Sequence, residues 1–253
     1  MNLFKNRQTR VLIIIIGTLV VFAVGIAAWY YKYQNTSIDP RVVKAHDMYE
    51  KYNELTMNAD YEHIFLLMDS IELIYSQIEH YKTSYEVGVL YNNKAAAYIA
   101  MALDSTIADT LYRDSLFALA EKNIIESIEI YIAWISHWEN KTKDDIQNLL
   151  IPHFSSLETN YNDVQIQRFI NKRTKQIIEA QIETPRRLSV SYTNLGIIYR
   201  HRKDYNKAAE LYLLALDYWA DNLAAENNLN VLLGKDQKKR SLLRKIFPKD
   251  RIE

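Results

Sequence analysis

Ser191 to Ala220 reads SYTNLGIIYRHRKDYNKAAELYLLALDYWA. Apolar residues at three-and-four spacing lie on both sides of a polar turn, Lys203-Asp204-Tyr205, which predicts helices over about 186–201 and 205–218. Tyr192 is followed by Leu195, Gly196 and Tyr199 on the first helix, then by Ala208, Tyr212 and Ala215 on the second. The small residues Gly196 and Ala208 let two antiparallel helices approach closely, while Leu195, Tyr199 and Tyr212 fill the space around them.

These offsets resemble the tetratricopeptide repeat, whose signature has aromatic, Leu, Gly, Tyr, Ala, aromatic, Ala and Pro at the same positions. Ala220 stands where the final Pro is expected. The resemblance implies an all-α solenoid of antiparallel helix pairs. The next helix, Leu223 to Leu233, keeps Leu229 in register and is polar at Asn227, Asn228 and Asn230, which suits a cap that solvates the stack. Upstream, Tyr91, Ala95 and Tyr98 match the first aromatic, the small position and the second Tyr of another copy, with Lys94 in place of the Leu. Its second helix resumes at Ala120, Ile124 and Ser127. Residues 41–80 read as a degenerate pair turning at Asp60-Tyr61, and residues 139–185 as a diverged one. At least three repeats are needed to bury a continuous core, so the solenoid is expected over 41–234. The resemblance also implies a concave groove lined by leading helices. Asn92, Asn93, Thr193, Asn194, Ile197 and Arg200 are its candidate partner-binding residues, with ordinary exposed helix surface as the alternative. The Lys/Asn clamp by which many members of the family hold a terminal carboxylate is incomplete here, with Asn92, Ala96, Thr193 and Ile197 at its positions.

The other decisive stretch is Val11 to Tyr31, VLIIIIGTLVVFAVGIAAWYY, twenty-one residues without a charge. At ~1.5 Å per residue a helix of that length spans about 30 Å, the hydrocarbon thickness of a bilayer. Trp29, Tyr30, Tyr31 and Tyr33 cluster where a headgroup interface would lie. A cleaved signal peptide is the rival, with Gly25-Ile26-Ala27 as its small-x-small triplet, but the apolar run exceeds the roughly 7–15 residues usual there. Ala23 and Ala27 form a small-xxx-small pair of the kind that packs helices in membranes. Lys5, Arg7 and Arg10 face Lys32, Arg41 and Lys44 across the run; the tighter cluster at the start, with Asp39, Asp47 and Glu50 diluting the other side, predicts a cytoplasmic N-terminus. Five segments follow: a cytoplasmic N-terminus (1–10), one transmembrane helix (11–31), a linker (32–40), the solenoid (41–234) and a basic amphipathic C-terminal segment (235–253). Asp39-Pro40 reads as an N-cap and first helical position, Pro152 as a kink and Pro185 as a helix start.

Composition narrows the chemistry. Over 253 residues, 31 Lys+Arg balance 31 Asp+Glu, which argues against a general nucleic-acid binder. Five Gly and four Pro are too few for a many-stranded or Gly-rich nucleotide-binding fold, and the absence of Cys excludes disulfides and thiolate chemistry. His46, His63, His80, His137, His153 and His201 show no zinc spacing. Glu62-His63 and Glu79-His80 read as solvated helical residues, and Asp144-Asp145 as first-turn acids stabilised by the helix dipole. Arg168, Lys172, Arg173 and Lys175 read as a charged, solvated circumference of one helix. No phosphate-loop, dinucleotide or nucleophile-elbow motif occurs, so no catalytic, cofactor or metal residue is assigned. Lys235 to Glu253 carries eight Lys/Arg against three acids, with Leu242, Leu243, Ile246 and Phe247 at helical spacing. Either it docks on a partner or an anionic membrane through charges such as Lys238, Lys239 and Arg240, or it packs as a last helix on the solenoid.

The expectation is a non-enzymatic, single-pass membrane protein. Its repeat domain, periplasmic if the source is a Gram-negative bacterium, would hold a protein partner or a membrane-associated complex as a scaffold, adaptor or assembly factor. The layout is similar to bacterial membrane-anchored repeat proteins that accompany the Sec translocon and periplasmic chaperones. A chaperone-like factor of that kind, or a ligand-sensing regulator, is the alternative.

Overall fold

The computed structural model describes residues 7–35 and 37–239, with side chains in the first helix given for residues 11, 13 and 15–27. Lys5, Arg240 and the quartet Leu242, Leu243, Ile246 and Phe247 lie outside the described residues. Ten α-helices follow in order: α1 (Arg7–Asn35), α2 (Val43–Tyr49), α3 (Tyr52–Met57), α4 (Tyr61–Ser76), α5 (Tyr85–Ala102), α6 (Thr110–Trp138), α7 (Lys143–Phe154), α8 (Asp163–His201), α9 (Tyr205–Tyr218) and α10 (Leu223–Leu232). No strand occurs among the described residues, so the chain is all-α.

Local chemistry sets most helix starts. Asp109 accepts from the amides of Leu111 and Tyr112, and Asn222 from those of Ala224 and Ala225. Thr142/Asp145 and Asn162/Gln165 form reciprocal capping boxes, so the acid of the Asp144-Asp145 pair that acts locally is Asp145. Two turns share one design. Ala59 (φ 51°) precedes the N-cap Asp60, and Lys203 (φ 66°) precedes the N-cap Asp204. In both, the Asp amide reaches back five residues, to the Leu55 and Tyr199 carbonyls at 3.0 Å. The α3–α4 and α8–α9 hairpins are thus built alike, and capping converts otherwise orphaned end groups into bonds.

The hairpins pack through small residues against tyrosines. A Cβ placed on Gly196 would lie 2.5 Å from Tyr212 Cε1, and one on Gly88 would lie 2.5 Å from Tyr131 Cε1. Both tyrosines are fully buried. The α5–α6 contact equivalent to Gly196–Tyr212 is therefore made by Gly88, seven residues before Ala95. Ala95, Ala120 and Ile124 are buried along the same stripe, two or three turns nearer the α5–α6 turn, while Ser127 is buried at the close approach itself and donates to the Gly88 carbonyl at 2.8 Å. The lengths of α5 and α6, 18 and 29 residues, carry this hairpin well beyond its counterpart. Lys94, at the position of the repeat Leu, is buried because its ammonium bonds Asp69 Oδ1 at 2.7 Å and Glu72 Oε2 at 2.6 Å.

Three apolar clusters make the core. One joins α5 and α6 to the second half of α8 and to α9, through residues such as Ile99, Phe117, Leu188 and Leu211. A second joins α2, α4 and α5 around Met68, Ile71 and Leu90, and a third joins the end of α6, α7 and the first half of α8 around Trp134, Leu150 and Phe169.

Four local expectations are corrected. Pro185 does not start a helix: it lies buried inside the continuous 39-residue α8. Its ring removes one bond, to the carbonyl four residues back, but packing of the two halves against different neighbours keeps the axis continuous. Pro152, the expected kink, lies within α7, near its end. Asp39 caps a turn rather than a helix, accepting from the Arg41 amide at 3.0 Å and from its guanidinium at 2.8 Å. His80 is not solvated: it lies beyond the end of α4 against Tyr81, His153 and Phe154, with 4% of its side chain exposed. Arg173 is not a surface charge either, being 2% exposed and paired with Glu86 of α5. His63 is solvated as expected and pairs with Asp60 at 2.8 Å.

Residues 15–27 of α1 are exposed, including Leu19, Val21, Phe22 and Val24. No helix is long and apolar enough to cross a membrane among the described residues, where consecutive α1 side chains run only from Ile15 to Ala27.

Candidate binding cleft

The helices α2, α4, α5 and α8 leave a cleft of about 430 Å³ between them. Its walls carry His46, Asp47 and Tyr49 from α2, Glu50 just after it, Tyr75 from α4, Tyr85, Glu86, Val89 and Leu90 from α5, and Arg187 from α8. Ile38 and Val43 close one side. That volume is within the range of ligand sites, ~300–1,000 Å³, and the mixture of aromatic, aliphatic and a few polar groups is typical of one.

Behind the cleft, the guanidinium of Arg173 stacks 4.2 Å above the Tyr81 ring and bonds both oxygens of Glu86. Tyr75 stacks on the other side of this assembly, its ring 5.4 Å from that of Tyr81 at an interplanar angle of 10°. Burial works against both members of the Arg173–Glu86 pair. Their mutual attraction more than offsets it, holding Glu86 below the usual carboxylate range and Arg173 above its ordinary value. Tyr85 meets Trp134 edge-on at 5.5 Å and takes the Arg187 guanidinium over its face at 5.7 Å. Arg187 also lies beside the Tyr131 hydroxyl. Burial lowers His46, and the nearby Arg173 and Lys172 add to that effect against Glu86 and Asp47, so its imidazole is neutral at pH 7. Tyr49 accepts a hydrogen bond from Asn93 Nδ2 at 2.8 Å. Desolvation raises Tyr49 and Tyr75, which stay protonated and able to donate.

Of the residues expected to line a groove, Asn92 and Asn194 meet, and the others lie in separate contacts. Asn92 Oδ1 accepts from Ser191 Oγ and Asn194 Nδ2, both at 3.1 Å, which ties α5 to α8. Thr193 is buried, donating to the Ser189 carbonyl and accepting from Asn222. Ile197 packs at the edge of the first core cluster, and Arg200 bonds Asn228 Oδ1 at 2.7 Å. Lys238 pairs with Glu226, Lys239 is exposed, and Arg240 lies outside the described residues. Asn93 alone reaches the cleft, through Tyr49. The repeat-packing residues are buried or half-buried between helices: Leu195, Gly196, Ala208, Tyr212 and Ala215 inside, Tyr192 stacked on Tyr218, Tyr98 on Phe65, with Tyr91 bonded to Glu72 and Tyr199 to Glu121.

The cleft residues carry no spacing signal, because they come from segments up to 149 residues apart, from Ile38 to Arg187. No group of three potential metal ligands occurs among the described residues. No family model, curated protein or solved structure matches this chain.

Proposed function

We propose that this protein is a membrane-anchored scaffold of the tetratricopeptide type, which holds a partner polypeptide in the cleft between α2, α5 and α8. The observation that carries the proposal is the cleft itself, where helices from separate hairpins bring Tyr49, Tyr75 and Arg187 to one place. The repeat reading is supported by two hairpins with the same glycine–tyrosine approach and two with the same Asp-capped turn. In this proposal α1, with its uncharged run from Val11 to Tyr31, is the anchor, and the helical stack lies outside the cytoplasm. The stack is then a solenoid whose terminal helix α10, polar at Asn227, Asn228 and Asn230, closes one end.

Photo-crosslinking in native membranes tests this. A photoreactive residue at Val89, inside the cleft, should capture a polypeptide that the same residue at Leu213, exposed on α9 and not lining the cleft, does not. Equal capture from both positions, or none from Val89, would refute the scaffold reading.

A further inference from the structure

We infer that the cleft accepts an extended polypeptide segment of mixed charge, with an Asp or Glu side chain inside and a Lys or Arg at the mouth. The inference rests on the scaffold reading above and names the chemistry of its partner. Inside, Tyr75, Tyr49 and Arg187 offer donors, and the His46 ring adds one donor and one acceptor nitrogen. Tyr75 is 4% exposed and lines the cleft, yet its hydroxyl has no hydrogen-bond partner among the described residues. Tyr49 accepts from Asn93, which leaves its own proton to donate. Arg187 is half-buried against the Tyr85 ring, and no carboxylate among the described residues forms an ion pair with it. The carboxylate inside, Glu86, is already engaged by Arg173.

A half-buried guanidinium held by the Tyr85 ring and the Tyr131 hydroxyl has lost hydration without gaining a counter-ion, so it favours a ligand that supplies a carboxylate in bidentate geometry. The mouth has the opposite sign. Asp47 and Glu50 are exposed there, three residues apart, and neither forms an ion pair among the described residues. They would repel a uniformly acidic segment and attract a cation. Ile38, Val43, Val89 and Leu90 supply apolar walls for the stems of both side chains. The volume holds a few side chains of an extended chain rather than the full width of a helix, ~10–12 Å across.

Fluorescence anisotropy with labelled ten-residue peptides and the full chain in lipid nanodiscs tests this. Four probes share a Leu/Ser background and carry Glu and Lys three residues apart, two Glu, two Lys, or no charge. The mixed probe should bind about tenfold more tightly than the others, one ion pair's worth of discrimination. Arg187→Gln should abolish the preference for Glu, and Asp47→Asn with Glu50→Gln the preference for Lys. Tyr75→Phe should weaken the mixed probe several-fold and reduce the preference for Glu while leaving the preference for Lys unchanged. Arg187→Lys, which keeps the charge and loses the fork, should keep the Glu preference at lower affinity, and it serves if the Gln variant unfolds. Equal binding of all four probes, tightest binding of a single-sign probe, or a Glu preference surviving in Arg187→Gln would overturn the inference. Crosslinking at Val89 reads the scaffold proposal independently, so capture there with no charge preference removes only this inference.

Discussion

Gly88→Ala adds one methyl group in the place where two helices are closest. The new Cβ would lie 2.5 Å from Cε1 and 2.8 Å from Cδ1 of Tyr131, whereas carbon atoms rest at ~3.5–4.0 Å. The ring cannot swing into solvent, because Tyr131 is 1% exposed and surrounded by the first core cluster. Relief requires α5 and α6 to separate by about 1 Å along a tightly packed interface, an overpacking cost of roughly 1–3 kcal/mol. Replacing Gly by Ala inside a helix returns up to about 1 kcal/mol through propensity. The net expectation is a loss of about 1–2 kcal/mol, or roughly 2–8 °C in the midpoint of thermal unfolding for a chain of this size. Circular dichroism of the full chain in nanodiscs would measure it. A second measurement isolates the contact: with Tyr131→Leu in the background the ring is gone, so Gly88→Ala should become neutral or stabilising. If Gly88→Ala raises the midpoint in the wild-type background, or its effect is unchanged by Tyr131→Leu, the close-approach reasoning is wrong. Gly196→Ala against Tyr212→Leu should behave the same way, because the geometry is repeated.

Other expectations follow from buried charges and from the anchor. Arg173→Met should cost about 3–5 kcal/mol by leaving Glu86 buried and unpaired, and Arg173→Met with Glu86→Gln should recover most of it; urea unfolding of the three chains would show whether the pair acts as one unit. His80 is pushed down to about 2, first by burial and then by Arg173, Arg41 and His153, so the folded chain keeps it neutral while the unfolded chain protonates it near 6.5. Its contribution is complete above that value and falls as pH drops toward 2, by up to about 1.4 kcal/mol per pH unit. His80→Phe should therefore flatten the stability profile between pH 7 and 5, and an unchanged slope would mean that other groups set it. A reporter active only outside the cytoplasm, fused after Glu253, should be active; activity of a cytoplasm-only reporter there would reverse the topology proposed from Lys5, Arg7 and Arg10.

What the sequence determined by itself was local. The hairpin over 191–220 was legible because helical periodicity, a polar turn and the alternation of Gly or Ala with Tyr lie within thirty residues. The Asp60 and Asp204 turns were legible for the same reason, since a cap bonds amides only two or three residues away. Tertiary structure decided the rest. Gly88 and Ala95 share one stripe, and only the position of Tyr131 on the facing helix selects Gly88 as the point of closest approach. Pro185 has the marks of a helix start, yet α8 runs through it because each half is packed against a different part of the body. Arg173 has the same local neighbourhood as its exposed neighbour Lys175, and its burial depends on Glu86, 87 residues earlier. The cleft is of this second kind throughout. Tyr49, Tyr75 and Arg187 line one cleft because α2, α4 and α8 are packed together, and no periodicity along the chain encodes a meeting between side chains that distant packing brings together.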